Sequence, residues 1–111
     1  MTSLNNKNSI VLHENMAGFV MKCKNCDEIT ISFGNIISRL TQEGFINLYK
    51  SLNNILKEID LFKVIINDKA KIVVRTPAEN LLLSFNTDEF YIIIELFDQA
   101  KLALDIEKLI N

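Results

Sequence analysis

Alternating apolar and polar positions open the chain's first folded stretch. Over Gly18 to Cys23, Phe19, Met21 and Cys23 fall on one face and Val20 and Lys22 on the other, the period of a β-strand. Glu28 to Phe33 repeats the pattern with Ile29, Ile31 and Phe33. Lys24-Asn25 makes a turn between these runs, and Gly34-Asn35 forms a tight two-residue loop before a third strand over Ile36 to Leu40. The spacing then changes. From Gln42 to Asp60, Phe45, Leu48, Tyr49, Leu52, Ile55, Leu56 and Ile59 recur at steps of three and four, so a helix is predicted, with Thr41 as its N-cap.

The second half follows a similar plan. Lys71 to Thr76 and Leu81 to Phe85 read as a hairpin closed by Pro77-Ala78-Glu79-Asn80. Phe62 to Ile66 is either one more short strand or the run-out of the preceding helix. Thr87-Asp88-Glu89 opens a second helix that runs to about Ile110, with its acidic residues at the positive end of the helix dipole. A shift of 45 positions aligns Ile37 with Leu82, Leu40 with Phe85 and Phe45 with Phe90. Each half then reads strand, turn, strand, helix, either as a duplication or as the shared physics of such units. The predicted fold is α+β: an antiparallel sheet with two helices packed on one face. Residues 1–12 are expected to be a polar, flexible N-terminus and 13–111 a single domain, the first eight residues fraying.

Phe90 to Phe97 (FYIIIELF) is apolar nearly all round a helix. After Ile93, Ile94, Phe97 and Ala100 face the sheet, Tyr91, Ile92 and Leu96 still need cover. Deep burial, a strand in place of the helix, or a homodimer through the C-terminal helix would each provide it, and the dimer is slightly preferred.

Composition narrows the function. The 111 residues are 49% hydrophobic and carry a net charge of −2, which excludes a disordered chain. Twelve basic against fourteen acidic side chains argue against nucleic acid as a partner. No apolar run approaches the roughly 20 residues of a membrane span, and from the polar Met1 to Asn8 no signal peptide is expected. A cytoplasmic protein is expected, in which two cysteines would be metal ligands or redox groups rather than a structural disulfide. Asn and Lys are so abundant here that single copies carry little information.

The remaining chemistry is local. His13, Cys23 and Cys26 form H-x9-C-x2-C, and a C-x2-C on a strand-turn-strand unit has the shape of a zinc knuckle. His13, as the sole imidazole, becomes the third ligand by elimination. Glu14, Asp27, a water or a second chain would be the fourth. Met16 and Met21 lie in the same window and would suit Cu(I), although Met21 fits the core better and zinc stays ahead. Thioredoxin-like exchange is disfavoured, because Asp27-Glu28 follows Cys26 where a thiol-activating helix N-terminus would be needed. The plain alternative is two small core-facing cysteines and a surface His13, with no ligand role. No residues are assigned to catalysis: no base, orienting group or oxyanion site accompanies the thiols, and the three glycines are too scattered for a phosphate loop. Arg75 is either a surface charge of interest or the end of a strand.

His13, Gly18-x-Val20-x-x-Cys23-x-x-Cys26 and Phe33-Gly34-Asn35 resemble a small uncharacterised bacterial family of about this length. Val74-Arg75-Thr76-Pro77 and Leu81-Leu82-Leu83-Ser84-Phe85 extend the resemblance over nearly all the chain after residue 12. It implies no activity. Asp27 stands where zinc knuckles commonly have Gly. The expectation is a non-enzymatic domain with a Cys-Cys-His zinc site in a structural or partner-binding role. A thiol- or metal-dependent enzyme, or a metal carrier with an open coordination position, is the alternative.

Overall fold

The computed structural model describes residues 8–110. It is an α+β fold with two antiparallel sheets where the sequence pattern predicts one. The first holds β1 (Ser9–Asn15), β2 (Gly18–Cys23), β3 (Ile29–Phe33) and β4 (Ile36–Leu40), in that order. Helix α1 (Gln42–Lys57) follows, then a 3₁₀ turn at Ile59–Phe62. The second sheet holds β5 (Lys63–Ile66), β6 (Lys69–Arg75) and β7 (Leu82–Phe85), and α2 (Thr87–Ile110) closes the fold.

β1 is the main departure from the sequence pattern. Residues 9–12, expected to be flexible, pair with β2 from Ser9↔Cys23 onward, while residues 1–7 lie outside the described residues. Its alternation is hidden by a bulge: Val11 pairs with Met21 and His13 with Val20, leaving Leu12 as the extra residue. The bulge turns both Leu12 and His13 toward α2, where Leu12 packs on the core and His13 meets Glu95.

The split into two sheets arises at residues 58–68. α1 stops at Lys57, three residues before the expected end, and the chain passes through the 3₁₀ turn into β5. Asn67 and Asp68, at φ 52° and 62°, make the left-handed two-residue turn that returns it as β6. The core lies between the sheets and helices. Val20, Ile29 and Ile31 of the first sheet, Phe45 and Leu52 of α1, Ile72 and Val74 of β6, and Phe90, Phe97 and Leu104 of α2 are almost completely buried. The Phe45 and Phe97 rings stack at 5.3 Å.

The apolar run of α2 is helical, and its girth has an intramolecular reason. The helix packs against β1 and β2 on one side and against α1, β6 and β7 on others, so Leu96 is buried within the chain. Tyr91 remains exposed. The two halves do share a unit. β4 leads through the Thr41 cap into α1, and β7 leads through Asn86 into α2. Asn86 and Glu89 form a capping box there, each side chain accepting from the other's main-chain N–H at 2.8 Å.

Candidate functional site

Three predicted ligands occupy two places. Cys23 ends β2, and Cys26 sits in the exposed connection to β3. The loop folds back because Cys23 N–H donates to the Glu28 carbonyl at 3.0 Å and Lys24 N–H donates to the Asn8 carbonyl at 2.6 Å. The Cys23 and Cys26 Cα atoms stand 5.4 Å apart and their sulfurs are paired in a disulfide. This differs from the metal or redox role that composition favours. A turn of this size brings two Cβ atoms within bridging reach and leaves the sulfurs each other as partners.

His13 does not join them. It pairs with Val20, three residues from Cys23, which is about 10 Å along a strand. The pleat also sets the two on opposite faces. Val20 is in the core and Lys22 reaches Glu107 of α2 at 3.4 Å, so these residues face the helices. Cys23, one position on, faces away from them. Met16 lies in the turn at the other end of the β1–β2 hairpin, and Met21 is buried in β2. Among the described residues, no three His, Cys, Asp or Glu side chains gather in a metal-holding group.

His13 belongs instead to a polar clasp that no sequence motif announces. Its Nε2 lies 3.1 Å from Glu95 Oε1. Asn15 Nδ2 donates to the same carboxylate oxygen at 2.8 Å and to the Ile92 carbonyl at 2.9 Å, while Asn15 Oδ1 accepts from Ala17 N–H. The Asn15 hydrogen bond is the main cause holding the Glu95 carboxyl below its ordinary value, with smaller help from His13 and opposition from desolvation. The clasp fastens β1 to α2 across about eighty residues of sequence.

A helix start does lie near the thiols, contrary to the sequence expectation. Asp27 Oδ1 accepts from Gln42 N–H, the first residue of α1, at 3.1 Å, and Thr41 Oγ1 caps Gly44 N–H at 3.0 Å. The adjacent carboxylate, not a sulfur, therefore takes this donor. It ties the cysteine loop to the helix.

An open groove of about 990 Å³ lies on the other half of the molecule, with Asn54, Phe62, Val73, Arg75, Glu79 and Leu82 among its lining. Arg75 thus stands on a concave surface. No helix of the described residues is long and apolar enough to cross a membrane. No curated protein and no solved structure matches the chain. A family model does match, over residues 5–110, and the chain belongs to that family of unknown function, DUF6686.

Proposed function

We propose that the chain is a non-enzymatic domain whose working element is the Cys23–Cys26 pair, a reversible dithiol at the tip of the β2–β3 hairpin. The observation that carries this reading is the bonding of the two sulfurs to each other on a tip where Cys26 is exposed. A low-molecular-weight disulfide is the oxidant. The Cys26 thiolate attacks one of its sulfurs and expels one small thiol. Cys23 then displaces the second, so two protein thiols become one disulfide and the reagent becomes two thiols. Closure stiffens a loop that Asp27 ties to α1, which makes the tip a structural or partner-binding element rather than a catalyst. A cytoplasmic setting, where the pair rests as thiols, fits this use.

A second reading keeps zinc but drops His13 from the ligand set. The tip supplies two thiolates, and a tetrahedral site of four thiolates would be completed by the same pair from a second copy. Cys26 is exposed at the tip, which leaves the pair open to approach by a second copy.

One experiment separates the readings: thiol titration, metal analysis and solution mass on protein purified without added metal, before and after glutathione disulfide. The dithiol reading expects two thiols when reduced, none when oxidised, a monomer mass and little zinc. About half an equivalent of zinc in a dimer supports the shared four-thiolate site. Two thiols that survive the oxidant without metal overturn both.

A further inference from the structure

The outward face of the second sheet is uncovered, and its composition is selective. Strand register puts Val64, Ile66, Lys69, Lys71, Val73, Arg75, Leu82 and Ser84 on one side, because Val64 pairs with Lys71, Ile66 with Lys69, Val73 with Ser84 and Arg75 with Leu82. The opposite side carries Ile72, Val74 and Phe85 into the core. Four aliphatic residues and three cations therefore share the free face, with no carboxylate among them. Val64, Ile66 and Leu82 are 45%, 47% and 56% exposed.

The cations are also unspent. Lys22, Arg39, Lys63 and Lys101 pair with Glu107, Glu28, Asp60 and Asp105, but among the described residues Lys69, Lys71 and Arg75 have no ion-pair partner. Holding three like charges on one small face costs repulsion that carboxylates from outside would relieve. Val73, Arg75 and Leu82 run on into the open groove, where Phe62 adds an aromatic wall, Asn54 a polar side chain and Glu79 a single carboxylate.

We propose that this face docks an extended segment of another protein whose every second side chain is, in turn, aliphatic and acidic. An extended segment has the right period. Side chains two apart lie on one side of a strand, so its aliphatic groups meet Val64, Val73 and Leu82 while its carboxylates reach Lys71 and Arg75. β5 pairs only with β6 and β7 only with β6, so both borders of the sheet offer main-chain groups to such a segment. A nucleic acid would use the cations and leave the aliphatic groups wet.

Fluorescence anisotropy with two short labelled peptides tests this, one with Leu and Glu taking turns at every second position and threonine between them, and one with Lys in place of Glu. The Glu–Leu peptide is expected to bind, more weakly as salt rises, and the Lys–Leu peptide is not. Lys69→Glu, Lys71→Glu and Arg75→Glu together should weaken binding by about tenfold or more, since each attraction becomes a repulsion. Leu82→Asp should also weaken it, and Lys108→Glu should not. If the triple variant fails to fold, Arg75→Ala alone keeps the test, through its salt dependence and a measurable loss of affinity. Equal binding of both peptides, no binding of either, or binding indifferent to these substitutions overturns the proposal. So does a dimer that the triple variant dissolves, because a second copy would then be the occupant.

Discussion

The two sheets are both antiparallel, both built from short hairpins, and both have one face on the same core. They differ in how much each gives to that core. In the first sheet, Val20, Ile29 and Ile31 are fully buried, and the helix-facing side is pinned by Lys22–Glu107, His13–Glu95 and Asn15–Glu95. In the second, Ile72, Val74 and Phe85 are buried, yet every residue from 61 to 70 is exposed, including Leu61, Phe62, Val64, Ile65 and Ile66. Apolar content is therefore a poor guide to which sheet holds the fold together. Burying a side chain against a helix stabilises it, whereas the same side chain on a hairpin beyond the core leaves its surface for a partner.

Matched substitutions put this contrast under the greatest strain. Ile31→Ala in β3 should cost about 2–5 kcal/mol, while Ile65→Ala in β5 should stay within about 0.5 kcal/mol. Chemical denaturation measures both, and similar losses would erase the distinction between the sheets. Gly18→Ala comes next, at about 2–3 kcal/mol, because the added Cβ would run into the Ser32 carbonyl of β3. No side-chain adjustment can relieve that collision, as the obstacle is main chain. Gly34, at φ 54° with open space around it, offers the milder comparison: Gly34→Ala should cost about 1 kcal/mol.

Smaller effects sharpen the picture at the edges of the first sheet. Reducing Cys23–Cys26, or replacing both with Ser, should lower stability by about 1–2 kcal/mol, since the bond closes so short a loop. Thermal melting with and without reductant checks this. The smallest effect is at the clasp. The Glu95 carboxyl is depressed in the folded state, so its contribution is present above the ordinary carboxyl value of 4.5 and is lost as pH falls through its folded value. Glu95 is about half exposed, so the loss should stay well under 1 kcal/mol after solvent screening. Asn15→Ala removes the leading cause, and an NMR titration should find Glu95 shifted back toward 4.5.

Periodicity makes most elements legible. β2, β3, β4 and the two helices follow from patterns of two and of three-to-four because each has one face committed to the core. β1 is not legible in this way. Its bulge breaks the alternation after Val11, and its partners on α2 lie some eighty residues away. The division into two sheets is equally hidden, because it depends on where α1 stops and on a left-handed turn at Asn67-Asp68 that alternation does not report. For the candidate site, C-x2-C correctly brings two sulfurs together, since that contact is set within four residues. Only elimination joins His13 to them, and elimination carries no geometry. The register of β1 against β2 sets it on the other face.

The clasp between His13, Asn15 and Glu95 also orders events in time. Translation delivers residues from the N-terminus at about 5–20 per second, so roughly 4–16 seconds separate His13 from the carboxylate that receives it. During that interval β1 and β2 can pair, but the side of the hairpin meant for α2 stays open to water and to other nascent chains. A chain cut short after the second sheet would display the aliphatic faces of both sheets at once. The helix that completes the oldest strand is made long after it, so quality control has a window in which an unfinished chain is recognisable by its bare first sheet.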